Sequence, residues 1–281
     1  MITRFAPSPT GLLHLGHAYS ALVISEVAKS ADGTVLLRIE DTDSTRCRPE
    51  YITALIEDLE WSGLKWDGEV RQQSKYLEEY ARALDTLSDK GLLYPCSCTR
   101  KTIINAGARP GWDGLVYPGT CRHRKMAVAT KGDALRLNLN IVWQHIVKEP
   151  VFMEVGPVHP GRHLVGRQET LDMIGDPVLQ RKDTGDPAYH LACTHDDALQ
   201  GITHVIRGED LFRQTWLHVL IQTVMGWPTP IYHHHALIRD DAGLRLAKIT
   251  NSRSIKSYRN EGMDPTEIRA HLKSLIENGK Y

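Results

Sequence analysis

The stretch Ile2-Thr3-Arg4-Phe5-Ala6-Pro7-Ser8-Pro9-Thr10-Gly11-Leu12-Leu13-His14-Leu15-Gly16-His17 decides the fold class. Residues 2–5 form a short β-prone run, and the prolines on either side of Ser8 stop it. Apolar residues then recur through Leu13, Leu15, Ala18, Leu22, Val23 and Val27, a helical spacing. Next comes Thr34-Val35-Leu36-Leu37-Arg38-Ile39, a compact apolar run of the kind that makes a buried parallel strand. Strand, tight turn, helix and strand within about forty residues make a βαβ unit and predict an α/β fold. The turn into the helix is a place for phosphate, because helix N-termini carry unpaired N–H groups and a partial positive charge. His14 and His17 could donate hydrogen bonds to phosphate oxygens, and Gly16 would let a nucleotide approach the backbone closely.

Outward from this start, 281 residues correspond to about two domains, or to one large domain with an insertion. Residues 49–61 and 76–90 read as amphipathic helices, the second ended by Gly91. The chain changes character between about 95 and 190, which hold three of the five cysteines and ten of the 22 glycines. Short strand-like pieces such as Val151-Phe152-Met153 also fall there. The reading is an α/β parallel sheet interrupted by an insertion. Residues 1–95 form its first half, 96–190 the insertion, 191–240 the second half and 241–281 a small C-terminal helical region. In the second half, His204-Val205-Ile206-Arg207 is a predicted strand and residues 211–225 a helix stopped by Gly226-Trp227-Pro228. Residues 265–276 form a last helix.

Composition excludes several classes. Hydrophobic residues at 41% and charged residues at 24% are those of a globular chain. No run approaches the roughly 18 apolar residues of a membrane helix, and the N-terminus lacks the basic and apolar regions of a signal peptide. A cytoplasmic protein without membrane contact is expected. Thirty-four Lys plus Arg balance 34 Asp plus Glu, which argues against a polycationic surface but leaves room for a local basic stripe. Arg100, Lys101, Arg122, Arg124 and Lys125 are candidates for one. Five cysteines without an export signal point to metal or free thiols rather than a disulfide framework.

Two further clusters carry chemistry. Arg38-Ile39-Glu40-Asp41-Thr42-Asp43 ends a predicted strand with three carboxylates, at the strand end where α/β sheets bind ligands. A solvated acidic face or a hard-cation site are the other readings. Cys96-Ser97-Cys98 and the later Cys121 offer three donors, and tetrahedral zinc needs a fourth. Tyr117, His123 and Asp113 are the candidates, and on chemistry alone imidazole is the favourite. Cys47 and Cys193 are left as free thiols.

Residues 4–17 resemble the "HIGH" signature region of class I aminoacyl-tRNA synthetases, and Arg-Phe-Ala-Pro-Ser-Pro-Thr-Gly is similar to its glutamyl branch. Arg38–Asp43, Tyr189-His190-Leu191-Ala192 and His204-Val205-Ile206-Arg207-Gly208-Glu209-Asp210 resemble further blocks of the same branch. The resemblance implies glutamate contacts by Arg4, Phe5, Ala6, Pro7, Ser8, Glu40, Tyr189 and Arg207, with Glu40 facing the α-amino group. An arginine suits a substrate carboxylate because its planar fork can pair bidentately. Cys193 departs from the asparagine that full-length glutamyl enzymes commonly carry.

The second class I signature, a Lys-Met-Ser-Lys-Ser loop, is matched only by Arg245-Leu246-Ala247-Lys248-Ile249. The resemblance implies ATP contacts by His14, Gly16, His17, Arg245 and Lys248. His14, His17 and Lys248 would stabilise charge as the α-phosphate is attacked.

Cys-x-Cys with a later Tyr-x-x-x-Cys is similar to the zinc site of the short glutamyl paralogues. That resemblance implies structural zinc on Cys96, Cys98, Tyr117 and Cys121. Only about thirty residues follow Lys248, so an anticodon-binding domain is not expected. Together these features resemble the glutamyl-queuosine tRNA(Asp) synthetases. The resemblance makes the parallel sheet a Rossmann-type sheet and implies a monomeric ligase that activates L-glutamate with Mg-ATP, without tRNA, and transfers it to the queuosine base of tRNA(Asp). Three alternatives stand beside it: a minimal glutamyl-tRNA synthetase charging the 3′ end, a catalytically silent zinc-stabilised tRNA- or protein-binding paralogue, and a nucleotidyltransferase.

Overall fold

The computed structural model describes residues 1–238 and 253–277. In chain order the first part is β1 (Ile2–Phe5), α1 (Leu15–Ser30), β2 (Thr34–Ile39), α2 (Pro49–Trp61), β3 (Arg71–Gln72) and α3 (Leu77–Asp89). A middle part follows: β4 (Leu93–Cys96), α4 (Arg100–Asn105), β5 (Arg109–Gly111), β6 (Gly114–Val116), β7 (Ala134–Leu137), α5 (Leu139–His145), β8 (Val151–Glu154), β9 (Gly161–Leu164), α6 (Arg167–Met173) and β10 (Val178–Gln180). The last part is α7 (Tyr189–Leu199), β11 (His204–Gly208), α8 (Thr215–Met225), β12 (Ile231–His235), α9 (Ile255–Asn260) and α10 (Pro265–Glu277).

The predicted βαβ unit is present: β1 pairs parallel with β2, Ile2 opposite Thr34 and Phe5 opposite Leu37. Between them α1 buries Ala18, Leu22, Val23, Ile24 and Ala28. β3 adds to the far side of β2, and β11 pairs parallel with β12. The two parallel groups meet at Thr203. Its N–H donates to the Ile2 carbonyl at 3.0 Å, and its hydroxyl accepts from the Ile2 N–H at 2.9 Å. One apolar core lies under β1, β2, α1 and α2, and a second around α3, α7 and α8.

β4, β7 and β10 form a separate antiparallel sheet, with β5 and β6 as a hairpin beside it. Val151–Glu154, read from the sequence as part of the insertion, hydrogen-bonds into the parallel sheet instead: β8 pairs with β12 at Glu154 and Tyr232. A carboxylate distant in sequence is thereby placed beside β12.

The helices after residue 253 pack back on the first half. The Ile255 N–H donates to the Leu13 carbonyl at 2.9 Å, and Arg259 reaches Glu57 of α2 at 2.8 Å. No helix of the described residues is long and apolar enough to cross a membrane.

Candidate active site

Helix α1 begins directly behind the Pro7–Gly11 turn with His14 as its N-cap. Ser, Thr, Asp or Asn usually fill that position. Here His14 Nδ1 accepts from the Gly16 N–H at 3.1 Å, and His17 Nδ1 accepts from the His14 N–H at 3.2 Å. With Nδ1 accepting, the proton of each neutral ring sits on Nε2. The rings lie 3.9 Å apart, centroid to centroid. Both line a cleft of about 310 Å³ at the carboxyl ends of β1, β2, β11 and β12, where α/β sheets bind ligands.

Behind Arg4 and Glu40, which line the cleft, lies a buried ionic network. Asp197 of α7 accepts from Arg4 Nε and Arg38 Nη1 through Oδ1, each at 2.8 Å. Arg38 also donates to Glu40 Oε1 from Nη2 at 3.1 Å. Burial works against the Asp197 charge, but the two guanidiniums outweigh it and hold the carboxyl below its usual range. At Glu40 burial wins over Arg38 and pushes the carboxyl up. Among the described residues the side-chain hydrogen bonds of Glu40 go through Oε1, which leaves Oε2 for a ligand ammonium. Cys193 Sγ lies 3.6 Å from Arg38 Nη2 and 3.9 Å from Arg4 Nη2. Burial pushes that thiol up to about 12, so it is a neutral member of the buried network.

Arg207, buried at the end of β11, is held differently. Nε donates to His234 Nε2 at 3.0 Å, Nη1 to His218 Nδ1 at 3.2 Å, and Nη2 to the Leu211 carbonyl at 3.1 Å and Thr215 Oγ1 at 2.8 Å. Among the described residues none of its direct partners is a carboxylate. Burying a cation without a counter-ion is costly, and a ligand carboxylate would supply one. A guanidinium has five N–H donors, and four are engaged here. The sequence reading expects a bidentate fork, whereas one Nη1 hydrogen remains for a ligand. Tyr189 completes this wall, its phenol pushed well above the ordinary range by burial.

The other two carboxylates of the acidic stretch serve the protein. Asp41 accepts from Ser74 N at 2.8 Å, Ser74 Oγ at 2.7 Å and Gln72 at 2.7 Å. Asp43 pairs with Arg46 and Arg181 at 2.5 Å and 2.7 Å. Arg122 and Arg124 of the proposed basic stripe are likewise held by Asp176 and Asp133, at 2.6 Å and 2.8 Å.

Cys96, Cys98 and Cys121 converge, their sulfurs within 4.8 Å of one another. The Tyr117 hydroxyl lies 3.3 Å from both Cys96 Sγ and Cys98 Sγ. It also accepts from the Cys121 N–H at 2.8 Å. Burial opposes a Cys121 thiolate, but hydrogen bonds from Tyr117 and the Ser97 N–H bring that thiol down to about 6. Three thiols and a phenol at one point suit a tetrahedral soft-metal site. His123 is not in this cluster, and Asp113 is turned to His190 at 2.8 Å. A second acidic group, Glu79 with His195 and Asp196, is filled by the Arg71 guanidinium, which pairs with both carboxylates.

The sequence matches the model of the tRNA synthetases class I (E and Q) catalytic domain over residues 1–109 and 162–276. The chain belongs to this family. It is 47% identical over 278 residues to the glutamyl-Q tRNA(Asp) synthetase of Rhodobacter capsulatus, covering 96% of this chain and 98% of that protein. It is 36% identical to the glutamate–tRNA ligase of Aquifex aeolicus over 96% of the chain, which spans 56% of the ligase. The crystal structure of glutamate-tRNA synthetase from Elizabethkingia anophelis superimposes with a TM-score of 0.73 at 26% identity, over 94% of this chain and 59% of that one.

Within this synthetase fold one cleft gathers Arg4, Phe5, Ala6, Pro7, Ser8, His14, Gly16, His17, Glu40, Tyr189 and Arg207. Arg245 and Lys248 lie outside the described residues. Of the described residues, Ile238 lines the cleft and Ser254 bridges to His14. Sequence reasoning missed Asp197, His218 and His234 as site residues, and treated Arg38 only as part of a motif. A signal for Asp197 was present: Tyr189, Cys193 and Asp197 recur every fourth residue, which places them on one face of α7.

Proposed function

We propose that the chain activates L-glutamate with Mg-ATP, without tRNA, and transfers it to the queuosine base at the wobble position of tRNA(Asp). The observation that carries this reading is the 47% identity to a glutamyl-Q tRNA(Asp) synthetase across 98% of that protein's length. The cleft suits glutamate: Arg207 offers an uncompensated cation to one carboxylate, and Glu40 Oε2 offers an acceptor to the ammonium group. Arg4 and Arg38 keep Glu40 and Asp197 in place from behind.

In the first step a glutamate carboxylate oxygen attacks the α-phosphorus of ATP, and pyrophosphate leaves. His14 and His17 present Nε2–H donors where charge grows on the phosphates, and Lys248 with Arg245 is assigned to the departing pyrophosphate. A magnesium ion bound with ATP supplies further charge neutralisation. In the second step a hydroxyl of the queuosine cyclopentenediol attacks the glutamyl carbonyl of the adenylate, and AMP leaves. No protein nucleophile is needed, and positioning with electrostatics accounts for the rate. A larger cleft of about 930 Å³ adjoins the first and shares Ser8, Thr10, Glu40 and Tyr189 with it. It suits the polynucleotide, with Arg100, Arg136 and Lys182 on its walls.

Zinc held by Cys96, Cys98, Tyr117 and Cys121 would be structural, because four protein donors leave no position for a substrate. Residues 1–95 and 191–240 act as the Rossmann-type catalytic domain, with β8 and β9 of the 96–190 insertion completing its sheet. Residues 241–281 act as signature loop and stem-contact region of a cytoplasmic monomer. ATP–pyrophosphate exchange tests the first step. Exchange with glutamate in the absence of tRNA, and none with glutamine or aspartate, is the expected result. Its absence, with and without queuosine-containing tRNA(Asp), would contradict the reading.

A further inference from the structure

Arg207 is the centre of a hydrogen-bonded chain that runs out of the pocket in two directions. A guanidinium can only donate, so every ring nitrogen facing Arg207 must accept. His234 therefore accepts through Nε2 and carries its proton on Nδ1, which donates to Glu154 Oε2. Glu154 is itself fixed, since Oε1 accepts from the backbone N–H groups of His234 at 2.9 Å and Gly156 at 2.7 Å. A side chain at position 156 would collide with that arrangement, a Cβ meeting His234 backbone atoms at 2.6 Å. On the other side His218 accepts through Nδ1, so its Nε2–H donates to His190 Nδ1 at 3.1 Å. His190 Nε2–H then donates to Asp113 Oδ2 at 2.8 Å. The order is Asp113, His190, His218, Arg207, His234, Glu154, with each proton assigned. Burial supports the neutral rings, taking His234 down to about 4 and His218 well below its ordinary range.

Both carboxylate ends of this chain fall between residues 109 and 162, outside the stretches matched by the family model, whereas Arg207 and all three histidines fall inside them. Asp113 sits in the turn between β5 and β6, and the hairpin is docked on α8 by Trp112, whose ring meets that of Trp216 edge-on at 5.3 Å. The Asp113 Oδ1 atom also accepts from Gln214 at 3.0 Å, at the start of α8.

We propose that Asp113, supplied by the insertion, is a positioning residue for the amino-acid pocket, acting through His190 and His218 to set the orientation of Arg207. The inference rests on the reading of Arg207 as the ligand-carboxylate partner. Without Asp113, His190 loses the acceptor that holds its ring in place, and His218 loses with it the fixed acceptor for its Nε2–H that holds its Nδ1 against Arg207. The free Nη1 hydrogen of Arg207 is then no longer held toward the cleft, and glutamate affinity falls while the ATP side of the site, built on α1, is untouched.

The test is steady-state ATP–pyrophosphate exchange with Asp113→Ala and Asp113→Asn, together with calorimetric titration of glutamate and NMR of the histidine ring nitrogens. In D113A the glutamate KM should rise about 10-fold, by analogy with the loss that follows removal of the outer partner of a metal-ligating side chain. KM for ATP and kcat should change less than about threefold on the same basis. D113N should lie between, because its amide oxygen still accepts from His190. In the unaltered protein His190 and His218 should show the Nε2–H tautomer and His234 the Nδ1–H tautomer, and D113A should disturb the first two only. An unaltered glutamate KM and unaltered tautomers in D113A would overturn the proposal. So would a parallel loss of kcat, both KM values and thermal stability, which would mark a merely structural role. If the unaltered protein neither exchanges nor binds glutamate, the functional reading fails, an outcome distinct from a glutamate-active protein that is indifferent to Asp113.

Discussion

His17 Nδ1 accepts a hydrogen bond from the backbone N–H of His14 at 3.2 Å, so the second histidine closes the first turn of α1 around the first. His14 in turn accepts from Gly16 at 3.1 Å, and both rings line the cleft. One pair of side chains thus caps the helix, and the proposed function also assigns it the donors for phosphate. These two tasks separate by substitution. His14→Asn keeps a capping acceptor and should retain stability to within about 0.5 kcal/mol, while His14→Ala should lose about 1 kcal/mol. Both should lower pyrophosphate exchange about 100-fold, the scale of one lost transition-state donor. Denaturation and exchange measured on the same two variants decide the matter; full activity in H14N would mean that the cap alone is what the site needs.

The Cys–Tyr cluster predicts about one zinc per chain by metal analysis, the count for a single four-donor site. Cys98→Ser should lose the metal and lower the melting temperature, as should a strong chelator. His123→Ala should leave metal content unchanged because that ring is not in the cluster. Retention of zinc in C98S, or its loss in H123A, would contradict the ligand assignment.

The βαβ start was legible because its apolar residues are local and periodic: Ile2–Phe5, Thr34–Ile39 and the buried face of α1 all follow one pattern. Strand β12 was not. Ile231-Tyr232-His233-His234-His235 reads as polar, yet Tyr232 and His234 are 1% and 0% exposed. Polar side chains can fill such a place only where partners satisfy them. For His234 these are Arg207 and Glu154, 27 and 80 residues away. No local pattern announces a partner at that distance. For Asp197 the periodicity of α7 marked the face but not the role, which depends on Arg4 and Arg38 reaching it from two strands.

Asp58 gives a pH signature. It lies fully buried on α2 with neither carboxylate oxygen hydrogen-bonded and Arg259 at 3.5 Å. Burial raises it from 3.8 to about 6 against the pull of Arg259. Between those values the folded state holds more protons than the unfolded one, so this group makes stability fall as pH rises from about 4 to 6. Asp58→Asn should remove that fall, and melting curves across the window should show the variant gaining on the parent toward neutral pH. Parallel curves would contradict it.

His234 works in the opposite sense. Burial takes it from 6.5 to about 4 despite Glu154, so the unfolded state binds the extra proton first. Its contribution to stability is present above about 6.5 and is lost as pH falls toward 4. His234→Gln should be less stable at pH 7 and lose less on acidification. Denaturant unfolding of both proteins at pH 7 and pH 5 checks this, and an equal acid loss would exclude His234 as a source.

The central claim is that glutamate activated in this cleft is delivered to queuosine. Its most direct test is incubation of the protein with labelled glutamate, ATP and tRNA(Asp), with or without queuosine, followed by nuclease digestion to locate the label. The account predicts label in the anticodon fragment of queuosine-containing tRNA(Asp) and none in tRNA lacking the base. Label on the 3′-terminal adenosine, independent of queuosine, would contradict it.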